Sequence, residues 1–229
     1  MSLDLRAIVR EAYSRAASEP AEAHPFPVGA RLAEALGYAR PLLRDHPLAA
    51  DAFAGVSCLP GFVEVDARMT VLDVGCGAGL DALAIGPRVR KIIGLDFSAE
   101  MLARASAHLE AVQADAERMP FATGSFDAAL ANGIFNLSPR REEIFAELAR
   151  VIRPGGRAWG AELILAGPLA DEALLRAGCF ACIAGAKQGG AFLAEFRRAG
   201  FKQARILATM QSLHTKNPAV LAAEWVAAR

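Results

Sequence analysis

The chain has 229 residues, 54% of them hydrophobic, and its 25 Lys and Arg side chains balance 25 Asp and Glu. That length suits one large domain with a substantial core, and the absence of net charge excludes the broad positive field that holds a polyanion, so nucleic acid is not an expected partner. No uncharged apolar stretch reaches the roughly 18 residues of a spanning helix, and no apolar secretory segment follows Met1, so no membrane partner is expected; the expected location is cytoplasmic, where the four cysteines stay reduced.

The first element is an amphipathic helix from Leu3 to about Ser18, with Leu5, Ile8, Val9, Ala12 and Tyr13 on one face. Pro25, Pro27 and Pro41 then divide the chain into a turn, a short helix from about Val28 to Leu36, and a second turn. Residues 1–60 read as a helical cap within the same domain as residues 61–229. From Thr70 the pattern changes to apolar runs of strand length alternating with helical segments, the signature of parallel βα units. Strands are expected over Thr70–Val74, Lys91–Asp96, Glu110–Ala114, Phe126–Ala131, Arg157–Ile164 and Phe201–Met210. Helices are expected over Leu80–Ile85, Ser98–Leu109, Arg140–Ile152, Asp171–Ile183 and Gly190–Ala199. Residues 219–228 are rich in helix-favouring Ala, but the strand before them needs a hydrogen-bonding neighbour, which leans the reading toward a seventh strand. The fold class is α/β: a Rossmann-like, doubly wound, mostly parallel seven-stranded sheet with helices on both faces and an N-terminal helical cap.

In such a sheet ligands bind beyond the carboxyl ends of the strands, so the loop after the first strand, VLDVGCGAGLD, carries the most information. Gly75, Gly77 and Gly79 permit a tight turn and let backbone amides approach a ligand. A dinucleotide fingerprint starting at Gly75 requires glycine at position 80, which is Leu80. Asp73, two residues before the loop, repels a pyrophosphate but suits a cationic sulfonium. Asp96 ends the second strand 21 residues after Gly75, the position from which an acid accepts bonds from ribose hydroxyls. Phe97 and Met101 supply apolar walls for adenine, while Asp115 and the Ala116 amide suit its polar edge. Singly, Asp73 or Asp96 equally serves to cap a helix or solvate a loop, and Phe97 to fill core; the ordered set is what points to a nucleoside.

Taken together, the segments VLDVGCGAGLD, GLDFSAEML, QADAERMPF, SFDAALANGIFNLSP and ARVIRPGGR resemble the class I S-adenosylmethionine-dependent methyltransferases, specifically their arsenite-methyltransferase-like branch. PFPVGARLAEALGY, DAFAGVSC and AGCFACIAGAK are similar to the flanks of that branch. The resemblance implies S-adenosyl-L-methionine as donor, contacts at Asp73, Gly75, Gly77, Asp96, Phe97, Asp115 and Ala116, and Asn132 beside the reactive end.

The acceptor is less constrained. In-line methyl transfer is accelerated largely by alignment in a dry pocket, so a general base is optional. Soft metalloids prefer sulfur, which singles out Cys58, Cys179 and Cys182; Cys76, inside the glycine loop, reads as a small buried residue. The resemblance implies Cys58 and Cys182 as As(III) ligands, but where the branch has a thiol after its fourth strand this chain has Gly133. Any of the thiols equally serves as core. Glu162, after the fifth strand's apolar run, either faces the acceptor pocket or solvates the sheet end, Tyr13 either covers the donor or packs, and Asn136 fixes a turn. A small-molecule acceptor is therefore expected, with a trivalent arsenical, a non-catalytic S-adenosylmethionine-binding regulator and an NAD-dependent oxidoreductase as alternatives. No resident metal is expected, and the assembly is either a monomer or a homodimer.

Overall fold

The computed structural model describes residues 5–105, 109–167 and 183–229. Its sheet is built from β1 (Thr70–Val74), β2 (Lys91–Asp96), β3 (Glu110–Gln113), β4 (Phe126–Asn132), β5 (Ile152–Leu165), β6 (Lys187–Gln188), β7 (Gln203–Gln211) and β8 (Val220–Ala228). The strand order is β3-β2-β1-β4-β5-β8-β7, with the two-residue β6 beside β5 off this path. Strands β1 to β6 pair in parallel, whereas β8 runs antiparallel to both β5 and β7. Every residue of β1 is buried, as expected for the centre of a sheet covered on both faces.

The chain passes from β1 outward through β2 to β3, then returns across β1 to β4, so the crevice at the carboxyl ends of β1 and β4 is the topological switch point. Of residues 219–228, all but the first form a strand, β8, for the reason read from the sequence: β7 has β8 as its hydrogen-bonding neighbour. Gly160 marks how tightly β8 sits on β5, because a Cβ there would collide with the Ala131 carbonyl and come 2.5 Å from Trp225.

Helices α1 (Leu5–Ser18), α2 (Ala30–Leu36), α3 (Arg40–Asp45) and α4 (Pro47–Asp51) form the cap. Ala16, Ala17, Phe26 and Leu32 from the cap join Val71, Leu80, Leu130 and Trp159 in one buried cluster. On the other face α7 (Arg141–Val151) and α8 (Gly189–Arg198) enclose an aromatic cluster of Phe135, Phe145, Phe192, Phe196 and Trp225. Phe135 stacks on Phe145 with centroids 4.1 Å apart. Between β1 and β3 lie α5 (Leu80–Ile85) and α6 (Ala99–Ala103).

Four expectations are corrected. Pro41 does not close a helix with a turn; it occupies the first turn of α3, where its missing N–H costs nothing. The helix expected over Ser98–Leu109 ends at Ala103, with Ser98 as its cap, because the chain turns at Arg104 toward β3; helix-favouring Ala lengthened the expectation. Strand β5 begins at Ile152 rather than Arg157, its Pro154 and Gly155 absorbed by a register shift against β4. The sheet also has an eighth strand, β6, too short for an apolar pattern to mark. The helix expected over Asp171–Ile183 lies outside the described residues except for Ile183.

Candidate functional site

A continuous cavity of about 1060 Å³, counting its open mouth, runs across the switch point. Gly75, Gly77, Asp96, Phe97 and Met101 lie on its wall. Asp115, Ala116, Asn132 and Tyr13 complete the sequence-derived residues found there. The cap adds an apolar side to the wall through Val9, Ala49, Ala52, Phe53 and Ala54, and the segments after β1 and β4 add Leu80, Ile134 and Leu137.

The loop between β1 and α5 has the shape its glycines permit. Gly75, Gly77 and Gly79 have φ of 70°, 54° and 83°, in the left-handed region that side chains avoid. Gly79 caps α5 and is not on the cavity wall; a Cβ there would strike Leu109. Met101 sulfur lies 3.7 Å from where a Gly77 Cβ would sit, so the bare backbone leaves that floor open to a ligand. Asp96 holds the turn: its Oδ2 accepts from Gly77 N at 2.8 Å and its Oδ1 from Ser98 N at 2.9 Å. Burial pushes the Asp96 carboxyl upward, against the pull of those amides and of Phe97.

Asp73 is 2% exposed beneath the loop and off the cavity wall, and its Oδ2 has no hydrogen-bond partner among the described residues. Burial first, then the charges of Asp81 and Asp96, hold its carboxyl well above the usual range. At the far end of the cavity Asp115 receives Arg6 of α1, which also reaches Glu117 at 3.0 Å. Ser14 of α1 donates to Glu100 at 2.6 Å and lies 3.0 Å from the Ser98 hydroxyl, so α1 is fastened over the cavity at both ends. Between these ties Tyr13 stacks on Phe26 at 4.5 Å.

Asn132, at the end of β4, joins the cap to the sheet. Its Oδ1 accepts from Val56 N at 2.8 Å and Ser57 N at 3.2 Å, and its Nδ2 donates to Ser57 O at 2.9 Å and Asp81 Oδ2 at 2.8 Å. Asp81 Oδ1 also accepts from the Tyr38 hydroxyl at 2.5 Å. Burial raises the Asp81 carboxyl to about 6 in spite of Asn132, Tyr38 and the Leu59 amide. Reading the sequence missed Asp81, Tyr38, Arg6 and Ser14. Asp81 stands in VLDVGCGAGLD itself, two residues after the last loop glycine, and was the one with a visible signal.

The remaining candidates fall elsewhere. Cys58 is half-buried and absent from the cavity wall; burial, then the charge of Asp81, pushes its thiol up to about 11. Cys76 lies on the wall and packs near Gly94, as a small residue should. Cys179 and Cys182 lie outside the described residues. Glu162 neither faces the cavity nor solvates the sheet end: it is 0% exposed and accepts from Phe135 N at 2.8 Å and Leu163 N at 3.0 Å. The turn over Phe135–Leu137 packs on β5 and needs that acceptor. Asn136 anchors the same turn, donating to Leu163 O at 2.8 Å.

Residues 72–159 match the methyltransferase domain family Methyltransf_11. The chain is 29% identical over 188 residues to an arsenite methyltransferase of Halobacterium salinarum, covering 76% of this chain and 47% of the relative, so it spans about half the length of that curated relative. Its fold matches an arsenic(III) S-adenosylmethionine methyltransferase of Chlamydomonas reinhardtii with a TM-score of 0.67 at 21% identity, over 89% of this chain and 74% of the other. It also matches the phosphoethanolamine N-methyltransferase 2 of Haemonchus contortus, solved with S-adenosylhomocysteine, with a TM-score of 0.64 at 15% identity, over 77% and 54% of the two chains. No helix among the described residues is long and apolar enough to cross a membrane.

Proposed function

We propose, from the premise that this chain carries a class I S-adenosylmethionine-dependent methyltransferase domain, that it transfers the donor's methyl group to a small-molecule acceptor. The observation that carries this reading is the continuity of one cavity from Asp115, past Asp96 and Gly77, to Asn132 and the apolar cap residues Ala52–Ala54. In this reading Asp96 receives the ribose, Phe97 and Met101 flank adenine, and the Ala116 amide and Asp115 meet its edge. When bound, the donor supplies an electrophilic methyl carbon on a cationic sulfur. The chain's own part is positional: the glycine loop and Asp96 fix one reactant, and the cap wall excludes water around the other. A buried carboxylate already bound by Gly77 and Ser98 amides is oriented in advance, so little ordering is left for binding to supply.

Calorimetry with S-adenosylhomocysteine, paired with transfer of labelled methyl from S-adenosylmethionine to a panel of small acceptors, tests the reading. Saturable binding and a labelled product are expected; binding of NADH with none of S-adenosylhomocysteine overturns it.

A second reading, methylation of a trivalent arsenical, is favoured by the similarity to the Halobacterium relative. Against arsenite itself stands Gly133 where a third thiol would be needed; two thiols, Cys58 and Cys182, suit a methylated arsenical. Trivalent methylarsenical is expected to protect these thiols from alkylation, and unchanged arsenical binding in Cys58→Ser with Cys182→Ser excludes this acceptor.

A further inference from the structure

We propose that Asp81 reads the charge on the donor sulfur, favouring the sulfonium over the neutral thioether product, and that it gives up a proton when the cation binds. The proposal rests on the donor reading above. Three carboxylates converge at the glycine loop: Asp73 from β1, Asp81 from α5 and Asp96 from the end of β2, each at most 6% exposed. None of the largest influences on these three carboxyls is a Lys or Arg: burial comes first for each, followed by neighbouring carboxylates for Asp73 and by hydrogen-bond donors for Asp81 and Asp96. The titratable groups facing them are Tyr38 from the cap, Cys58 from the turn before β1, and Cys76 in the loop. Arg6, the basic residue on the cavity wall, is held at the opposite end by Asp115 and Glu117.

Concentrating this much negative charge in a dry site is costly, and without a cation the group answers by keeping protons. The unpartnered Oδ2 of Asp73 and the raised affinity of Asp81 for a proton are two signs of it. Of the three, Asp81 is the one that both lines the cavity and contacts Asn132, at the end away from the adenine contacts. A sulfonium arriving there favours the ionised carboxylate, and the displaced proton leaves for the buffer. Methyl transfer breaks the S–CH₃ bond with its electron pair left on sulfur, so the sulfur becomes neutral and Asp81 recovers a proton from the buffer. Both ligands carry the same ammonium and carboxylate, so the difference between them isolates the sulfur.

The sign follows from linkage. Binding that requires the deprotonated carboxylate strengthens as pH rises through the free-state value of about 6 and weakens about tenfold per unit below it. Titration calorimetry of the wild-type chain in two buffers of different ionisation enthalpy is the test. At about pH 6, S-adenosylmethionine is expected to release about half a proton and S-adenosylhomocysteine far less. The affinity ratio of the two is expected to fall as pH is lowered. Asp81→Asn is expected to equalise their proton counts and shrink the ratio, while Tyr38→Phe, which keeps the carboxylate but removes a donor to it, is expected to move the pH midpoint upward. A merely structural Asp81 would weaken both ligands alike in Asp81→Asn and leave their wild-type proton counts equal; equal counts overturn the proposal. If neither ligand binds the folded chain, it is the donor reading that fails.

Discussion

Replacing Asp96 with alanine separates two tasks that its carboxylate combines. In the free chain the group accepts from Gly77 N and Ser98 N; the first amide lies on the cavity wall, where water replaces the lost acceptor, whereas Ser98 is 0% exposed and its amide is stranded. A buried amide without a partner costs about 1–3 kcal/mol, so the midpoint of urea unfolding is expected to fall accordingly. In the proposed donor pose the ribose hydroxyls lose a charged acceptor as well, worth about 1.5–3 kcal/mol, and S-adenosylhomocysteine affinity is expected to drop roughly 10- to 150-fold. Calorimetry on the folded variant, with unfolding followed separately by circular dichroism, measures each part. Affinity unchanged within about twofold would refute the assignment of the ribose to this residue, even if stability falls as expected.

Other perturbations probe the frame around the site. Gly160→Ala forces a Cβ into the Ala131 carbonyl and Trp225, and a loss of about 3 kcal/mol or failure to fold is expected from thermal unfolding. Phe135→Ala empties the centre of the aromatic cluster, at a cost of about 3–5 kcal/mol in urea unfolding, with Phe135→Leu milder. Glu162 titrates near 7 because burial outweighs the pull of Arg141 and the turn amides. Its folded value lies above the unfolded one, so its contribution is fully present below about pH 4.5 and is lost as pH rises to about 7. Glu162→Gln is therefore expected to flatten the stability profile across that window; an unaltered slope refutes the account.

Most of the sheet was legible because its strands are local. Thr70–Val74 and Lys91–Asp96 appear with the boundaries their apolar runs give, and the glycine loop takes the positive φ its composition permits. Periodicity does not encode what a side chain meets far along the chain. Arg6 meets Asp115 and Ser14 meets Ser98 across more than 80 residues, and no spacing rule signals either contact. Glu162 was misjudged for the same reason. Its position at the carboxyl end of β5 suggested a pocket-facing acid, while its partner, the turn after β4, is set by the packing of two strands. Pro41 misled through a rule applied without position, since the same residue that ends a helix from inside begins one from its first turn.

The placement of β8 bears on the order in which the molecule can assemble. β7 has no hydrogen-bonded contact with β5 except through β8, which is made after it. On a ribosome, therefore, residues 203–211 emerge with no seat, and the long flank of β5 stays bare until residues 220–228 arrive to fill the gap. A nascent chain halted before Val220 should present two unsatisfied strand edges at once, making that interval of synthesis the one in which a holdase chaperone has most to grip.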